Sequence, residues 1–425
     1  MRPTKFFMRS GKLSYLQYSE EYDYLANTFG SNTGNLLYTY SIEKILYKPF
    51  NSIEPSRYNH NEKRAEYINE NFDTFILPLA NPFGRKNFKN QLDDLTKLIK
   101  KLKIPTVLIG AGLQHNNQLP TDSDFNHIDT SLKSSAKDFC FSVLDKSSSI
   151  GVRGGVTKKF LEHIGIPENK ITVIGCPSIY MYGPKKIEFS NCNYINKNSS
   201  YAISFTPQLG PGINQIFFDL IKEYPNYTYI PQRRDEIGVL LEHSLLPKFN
   251  EELFILSSQK SIPIKDNKCV VFTNVLSWIN FLKTQEFSIG TRLHGCIAGL
   301  LAGIPSVLVC HDSRTLELAD FIGIPSITTN SLKNKHQLLD LLCSFNPNKF
   351  NEKLVKNYKV FSNFLKMNNL PNLFEDQSSL DSWNILEQNL LSTSGISTGF
   401  SKQKDFIIKV LQNKNQYINR LKNKA

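Results

Sequence analysis

Arg292 and His294 stand two residues apart in the stretch GTRLHGCIAGLLAGIPSVLV (290–309). A guanidinium there can grip a carboxylate or phosphate through paired hydrogen bonds. An imidazole titrates near neutrality and can carry a proton as general acid or base. No acidic residue within four positions neutralises Arg292. Strand geometry continued through His294 would put alternate residues on one face, so that both side chains would meet a single anionic ligand. Read alone, the stretch is equally a polar start to a buried helix, because residues 295–303 are mostly small.

Four further places put polar groups where a strand gives way to a helix. Asn32-Thr33-Gly34-Asn35 precedes the helical run LLYTYSIEKIL, and Gly110-Ala111-Gly112 with Gln114 follows an apolar run at 106–109. Arg153 ends the run SIGVRG (149–154), and Arg314 follows the apolar run PSVLVC (305–310), one helix and one strand beyond His294. Ligands of open α/β sheets bind at such strand ends, where helix N-termini present unpaired N–H groups. His294 is the candidate proton carrier, and Arg153, Arg292, Arg314, Asn32, Asn35 and Gly112 are the candidate binding residues. A salt bridge is the alternative account of Arg153. The D-x-D at Asp122-Ser123-Asp124 sits in a polar stretch and reads as a solvated loop. The seven cysteines include no C-x-x-C pair, which gives neither a zinc cluster nor a disulfide framework. No metal site is expected, and a reducing, cytoplasmic setting is.

The elements that would position these residues alternate. DTFILPLAN (73–81), TVLIGAG (106–112), SIGVRG and KITVIGCP (170–177) read as strands, with the amphipathic helices LDDLTKLIKKLKIP and GVTKKFLEHIGI between them. After the polar, turn-rich segment GPKKIEFSNCNYINKNSS (183–200), a second series follows: YAISFTP (201–207), YTYIPQ (227–232), KCVVFTN (268–274), FSIGTR (287–292) and PSVLVC. Beyond about residue 330 the pattern is helical. The expectation is an α/β protein of two doubly wound, Rossmann-like domains facing a cleft, over 1–190 and 191–345, with a helical C-terminal extension over 346–425 packing back on them. A chain of 425 residues exceeds what one hydrophobic core usually serves.

The net charge of +12 suggests an anionic partner, although lysine and asparagine are plentiful throughout. No nucleic-acid partner is expected. The N-terminus lacks the continuous apolar core of a secretory signal, and no apolar span reaches membrane length. The final segment, SKQKDFIIKVLQNKNQYINRLKNKA, carries seven basic residues against Asp405 alone, with Phe406, Val410, Tyr417 and Leu421 on one helical face. It reads as a closing helix packed on the domains, or as a peripheral contact with an anionic membrane surface.

TRLHGCIAGLLAGIPSVLVCHDSRTLELADFIGIP resembles the later motif of polysaccharide pyruvyltransferases: Arg-Leu-His, a small-residue helix, Gly-x-Pro and a turn that usually carries lysine. SIGVRGGVTKKFLEHIGIPENKITVIGCPSIYM and NTGNLLYTYSIEKIL resemble the family's earlier segments, and the likeness covers roughly residues 28–326. The resemblance implies a GT-B-like fold with the active site between the domains. It implies transfer of the enolpyruvyl unit of phosphoenolpyruvate, as donor substrate and with no other cofactor, to two hydroxyls of a sugar or lipid-linked glycan at the inner face of a membrane. Arg292 and Arg153 would hold the donor's phosphate and carboxylate, His294 would transfer the proton, and Arg314 would stand where lysine usually does; that scheme calls for no metal. Asn35 and Cys176 replace aspartates of the pattern, which leaves open a different acceptor or donor. The alternative is a glycosyltransferase of the same fold using a nucleotide sugar, against which the helix after His294 carries no glutamate for a ribose. A non-catalytic binder of polyanions is the third reading.

Overall fold

The computed structural model describes residues 3–16, 18, 20–190, 195–241, 255–258, 260–390 and 396–397. Two parallel sheets organise them. The first contains β1 (Lys5–Met8), β2 (Ser52–Pro55), β3 (Thr74–Pro78), β4 (Thr106–Ile109), β5 (Ile150–Val152) and β6 (Ile171–Val173). β2-β1-β3-β4 form one ladder and β5-β6 another. Backbone bonds from Ala111 N to Gly151 O and from Arg153 N to Ala111 O join the two ladders just past β4. The order across the whole is 2-1-3-4-5-6.

The second unit supplies β7 (Tyr201–Ser204), β8 (Tyr227–Tyr229), β9 (Val270–Val271), β10 (Phe287–Gly290), β11 (Ser306–Cys310) and β12 (Ser326–Thr328). Its five-stranded sheet runs β12-β11-β10-β7-β8, all parallel. Counted within the unit and without β9, that is again 2-1-3-4-5. In both sheets the winding reverses beside the first strand. The crevices at the strand ends therefore open between β1 and β3 in one unit and between β7 and β10 in the other.

The sequence forms these strands because both faces are covered. β3, β4 and β11 are buried at every position, which is why they read as unbroken apolar runs. Helices on the flanks show the complementary stripe: the Lys89–Lys101 helix buries Leu92, Leu95, Leu98 and Ile99 and turns its lysines outward.

After β12 the chain is helical over His336–Cys343, Pro347–Met367 and Gln377–Asn389. The last two return to the first unit. The Phe361 ring stacks on Tyr180 at 4.8 Å, and Ser148 N donates to Asn368 Oδ1 at 3.0 Å. Lys44 Nζ reaches Glu387 at 2.9 Å beside buried Trp383. The units are also stitched directly: Thr33 N donates to Gln232 O, and Ser313 Oγ to Leu113 O.

Several expectations are corrected. β1, β2 and β12 had no counterpart in the sequence pattern. KCVVFTN does not join the second sheet; only a single bridge from Cys269 reaches Tyr229, and β9 pairs antiparallel with β13 (Ile396–Ser397) instead. Asp122-Ser123-Asp124 is not a loop but the start of a five-residue helix, because Thr121 and Asp124 form a reciprocal cap there. The basic segment 401–425 lies outside the described residues. Among the described residues, no helix is long and apolar enough to cross a membrane, and no group of His, Cys, Asp and Glu is placed to hold a metal ion.

Candidate active site

The two crevices face each other across a cavity of about 530 Å³. Arg9, directly after β1, and Leu79 to Asn81, after β3, form one side with Asn32, Asn35 and Tyr38 of the Gly34–Ile45 helix region. Thr206 and Gln208 after β7, Arg292 and His294 after β10, and His311 and Arg314 after β11 form the other. The cavity thus sits at both topological switch points, at the carboxyl ends of the strands.

His294 does not continue a strand. β10 stops at Gly290, and Thr291 and Arg292 both donate backbone N–H to Ser204 O, at 2.9 and 3.2 Å. Arg292 is the extended residue before the Leu293–Leu301 helix, and His294 is in its first turn. The pair line one cavity because a strand end meets a helix start, not through strand alternation. The first turn of the Gly34–Ile45 helix lies opposite: a Cβ on Gly34 would come 2.6 Å from His294 Nδ1. Two helix N-termini therefore meet at this imidazole, and both favour negative charge there.

The His294 ring stacks on Tyr38 (6.2 Å between centroids), and its Nε2 lies 3.6 Å from Cys176 Sγ. Burial first, then the guanidiniums of Arg153 and Arg314, push its pKa well below the usual imidazole range. In the free protein His294 is a neutral base. Tyr38 itself is fixed by hydrogen bonds from its hydroxyl to Ile109 O and Gly110 O. Gly110 is required for this: its φ is +72°, and a Cβ would sit 2.6 Å from the Tyr38 hydroxyl.

Each arginine has its own charge balance. Arg292 Nη2 bonds the fully buried carboxylate of Glu236, which lies 56 positions away in sequence, and Arg292 Nε donates to Phe205 O at 3.3 Å. Arg314 pairs with Asp312 at 3.1 Å. Burial would raise the Asp312 pKa, but Arg314 and His311 hold it down at about 2. His311 is pushed down to about 4 by burial. Arg233 pairs with Asp235 at 2.5 Å. Arg9 bonds only neutral acceptors, Pro78 O and Gln91 Oε1, and is flanked by the rings of Tyr58 and Phe88. Among the described residues neither Arg9 nor Arg85 has a carboxylate partner. Burial lowers the pKa of both, and Arg85 also feels Arg314 and Arg233.

Of the residues expected from sequence, Asn32, Asn35, Arg292, His294 and Arg314 line one cavity. Asn32 Oδ1 accepts from Gly34 N at 2.8 Å, and Asn35 Nδ2 donates to Phe29 O and Gly30 O, so both amides also shape the turn that delivers the helix. Arg153 is not at the wall. It is fully buried, donates from Nε to Gly110 O at 2.9 Å and lies 5.4 Å from the Tyr38 ring centroid. The salt-bridge account does not describe it either, since no carboxylate among the described residues reaches ion-pair distance. Gly112 is likewise behind the wall: a Cβ there would meet Arg153 Cδ and Ala80 O, both at 3.0 Å. Its role is to leave room.

Arg9, Tyr38, Arg85, Arg233, Glu236 and His311 were missed. Arg9 obeys the same strand-end logic as Arg292, but the four-residue strand KFFM was too short to register. His311 follows PSVLVC directly and could have been named. Nothing local marks Glu236 or Arg85, whose relation to the site is purely tertiary.

A search among curated proteins finds no match. Solved structures give distant likenesses. Methanocaldococcus jannaschii UDP-GlcNAc 2-epimerase in complex with UDP-GlcNAc and UDP is 12% identical over 85% of this chain and 100% of that one, with a TM-score of 0.42. The Rickettsia bellii UDP-N-acetylglucosamine 2-epimerase is 12% identical over 86% and 96%, with a TM-score of 0.43. At this distance the likeness says nothing of what the chain binds. The family model of polysaccharide pyruvyl transferase, by contrast, matches residues 32–313, from the turn before the first cavity helix to the start of the Ser313–Ile322 helix. By that match this chain belongs to the polysaccharide pyruvyl transferase family and is a transferase.

Proposed function

We propose that the chain transfers the enolpyruvyl unit of phosphoenolpyruvate to two hydroxyls of a sugar, in a surface polysaccharide or its lipid-linked precursor, closing a pyruvate ketal. The observation that carries this reading is the cavity's charge: five arginines line it, of which Arg9 and Arg85 lack carboxylate partners among the described residues, beside two imidazoles, His294 and His311, that burial keeps neutral. Phosphoenolpyruvate presents a phosphate and a carboxylate on three carbons, and such a ligand needs several cations close together.

Arg314, Arg9, Arg85 and Arg292 would share the two anionic groups. Arg153, behind the wall, contributes field and not contact. Bound anion offsets the guanidinium charges that help keep His294 neutral, so ligand binding brings a proton onto the imidazole. That proton passes to the methylene carbon, which becomes the methyl group, and C2 becomes electrophilic. One sugar hydroxyl adds to C2, the C2–O bond to phosphate breaks, and the second hydroxyl closes the ring. The diol loses two protons in all: one replaces the proton His294 gave to carbon, and the other leaves with phosphate. The arginines stabilise the departing phosphate.

Phosphate release from phosphoenolpyruvate in the presence of a panel of sugar nucleotides tests the reading. His294→Asn should abolish release while phosphoenolpyruvate still binds. Retained release in that variant overturns the proton-transfer role.

A further inference from the structure

β2 runs beside β1 in the first sheet, and beyond its end opens a second cavity, of about 570 Å³, that takes no part in the proposed chemistry. Two separate segments line it: residues 58–62, which follow β2, and residues within 87–97, around the start of the Lys89–Lys101 helix. It adjoins the catalytic cavity. Tyr58 lines both, and Arg9 of the catalytic cavity donates from Nη2 to Gln91 Oε1 of this one at 3.1 Å. The turn that presents Tyr58 is costly, since Arg57 and Tyr58 are consecutive non-glycine residues with φ of +54° and +56°. It places the Tyr58 ring centroid 5.1 Å from the Arg9 guanidinium carbon and brings buried His60 into the cavity lining.

The two cavities offer different chemistry. Five arginines line the catalytic one, whereas the charged residues of its neighbour arrive balanced: Glu62 pairs with Lys101 at 2.9 Å, and Asp94 with Lys97 at 3.7 Å. His60 adds no charge, because burial first, then Arg9 and Arg64, push its pKa down to about 3. What remains is a set of carboxamides, on Asn59, Asn61, Asn87, Asn90 and Gln91. Asn59 Oδ1 accepts from Asn61 N, Asn61 Oδ1 from Lys63 N, and Gln91 Oε1 from Arg9. None of the five amide nitrogens has a protein acceptor among the described residues. Each carries two N–H donors, which an uncharged ligand rich in hydroxyl oxygens matches. Asparagines scattered over a surface are merely solvated. These come from two segments and meet at one cavity of the size that small ligands occupy.

We propose that this cavity is a saccharide subsite, which holds an uncharged sugar unit of the acceptor glycan next to the unit that receives the pyruvyl group. Charge sorts the two substrates: the arginines draw the anionic donor, and the amides beyond Tyr58 hold the hydroxyl-rich acceptor. Hydrogen bonds made there anchor the acceptor and orient its reacting hydroxyls toward the donor. That catalytic consequence rests on the proposed function, but saccharide binding itself requires no phosphoenolpyruvate.

The test uses the full-length chain and neutral disaccharide probes, namely lactose, maltose, cellobiose, mannobiose and N,N′-diacetylchitobiose, with binding read by saturation-transfer NMR. At least one probe should bind in the absence of phosphoenolpyruvate. The double variant Asn87→Ala, Asn90→Ala should weaken that binding about 10-fold, the scale of two neutral hydrogen bonds. Asn90→Trp, which puts an indole into the cavity, should abolish it. Both positions are exposed, so neither change disturbs the core. Phosphoenolpyruvate affinity, measured by calorimetry, should be retained in both variants, because the arginines that hold the donor are untouched. Binding of no probe overturns the proposal, and so does a probe that binds both variants as tightly as the unmodified chain. Preference for an anionic chondroitin disaccharide over every neutral probe overturns it as well. Failure of the unmodified chain to bind phosphoenolpyruvate overturns the proposed function instead, and the disaccharides still decide the subsite.

Discussion

His294 begins neutral because it is buried among cations, and that one fact shapes what the site does with protons. Its neighbours separate into two groups. Arg292, Arg314 and Arg233 arrive already paired with Glu236, Asp312 and Asp235, whereas Arg9 and Arg85 have no carboxylate partner among the described residues. The unpaired cations should matter most for anion affinity. Arg9→Met or Arg85→Met should each weaken phosphoenolpyruvate binding about 10- to 100-fold, the scale of one charge-assisted hydrogen bond, as read by calorimetry. Gly34→Ala should cost activity more than stability, since its methyl would meet His294 Nδ1 at 2.6 Å and Cβ at 2.8 Å and displace the ring. A near-normal kcat in that variant would contradict the placement of His294. The sequence made Arg292, His294 and Arg314 legible because each follows an apolar run directly. It could not show that Arg153 is covered, because burial depends on Tyr38 and Gly112, which belong to other elements.

The elements explain why a strand-end rule works here and where it fails. Both sheets place their crevice beside the first strand, so residues following β1, β3, β7 and β10 converge without being close in sequence. Parallel strands buried on both faces leave a strong apolar trace, and β3, β4, β7, β10 and β11 could be read from it. β1, β2 and β12 are short, and β2 and β12 are only partly buried, which erases that trace. Among the contacts between elements, Glu317 of the Ser313–Ile322 helix spans the units by accepting from Thr157 N at 2.9 Å and Thr157 Oγ1 at 2.6 Å. Its carboxyl sits at the first turn of the Gly155–His163 helix. Glu317→Ala would leave those buried donors unsatisfied, at a cost of about 1–3 kcal/mol in urea unfolding. An unchanged midpoint would mean that this link between units contributes nothing.

At the scale of the whole molecule, buried titratable groups set how stability follows pH. His60 is pushed down to about 3 and His311 to about 4, and His294 lies well below its usual value, in each case chiefly by burial. The unfolded chain takes up these protons below about pH 6.5 while the native state does not, so acid destabilises the fold. Glu43, raised to about 8, and Glu317, raised to about 7, act in the opposite sense. The native state keeps their protons where the unfolded chain has lost them, so their contribution is full below about pH 4.5 and fades as pH rises through 7 to 8. Stability should therefore peak near pH 6 and fall on both sides, as urea midpoints across pH would show; a steady rise to pH 8 would contradict the assignments. The central claim, that the paired crevices bind phosphoenolpyruvate, is tested most directly by thermal unfolding with phosphoenolpyruvate or with each of a panel of sugar nucleotides. Phosphoenolpyruvate should raise the midpoint by mass action. A rise with a sugar nucleotide and none with phosphoenolpyruvate would contradict it.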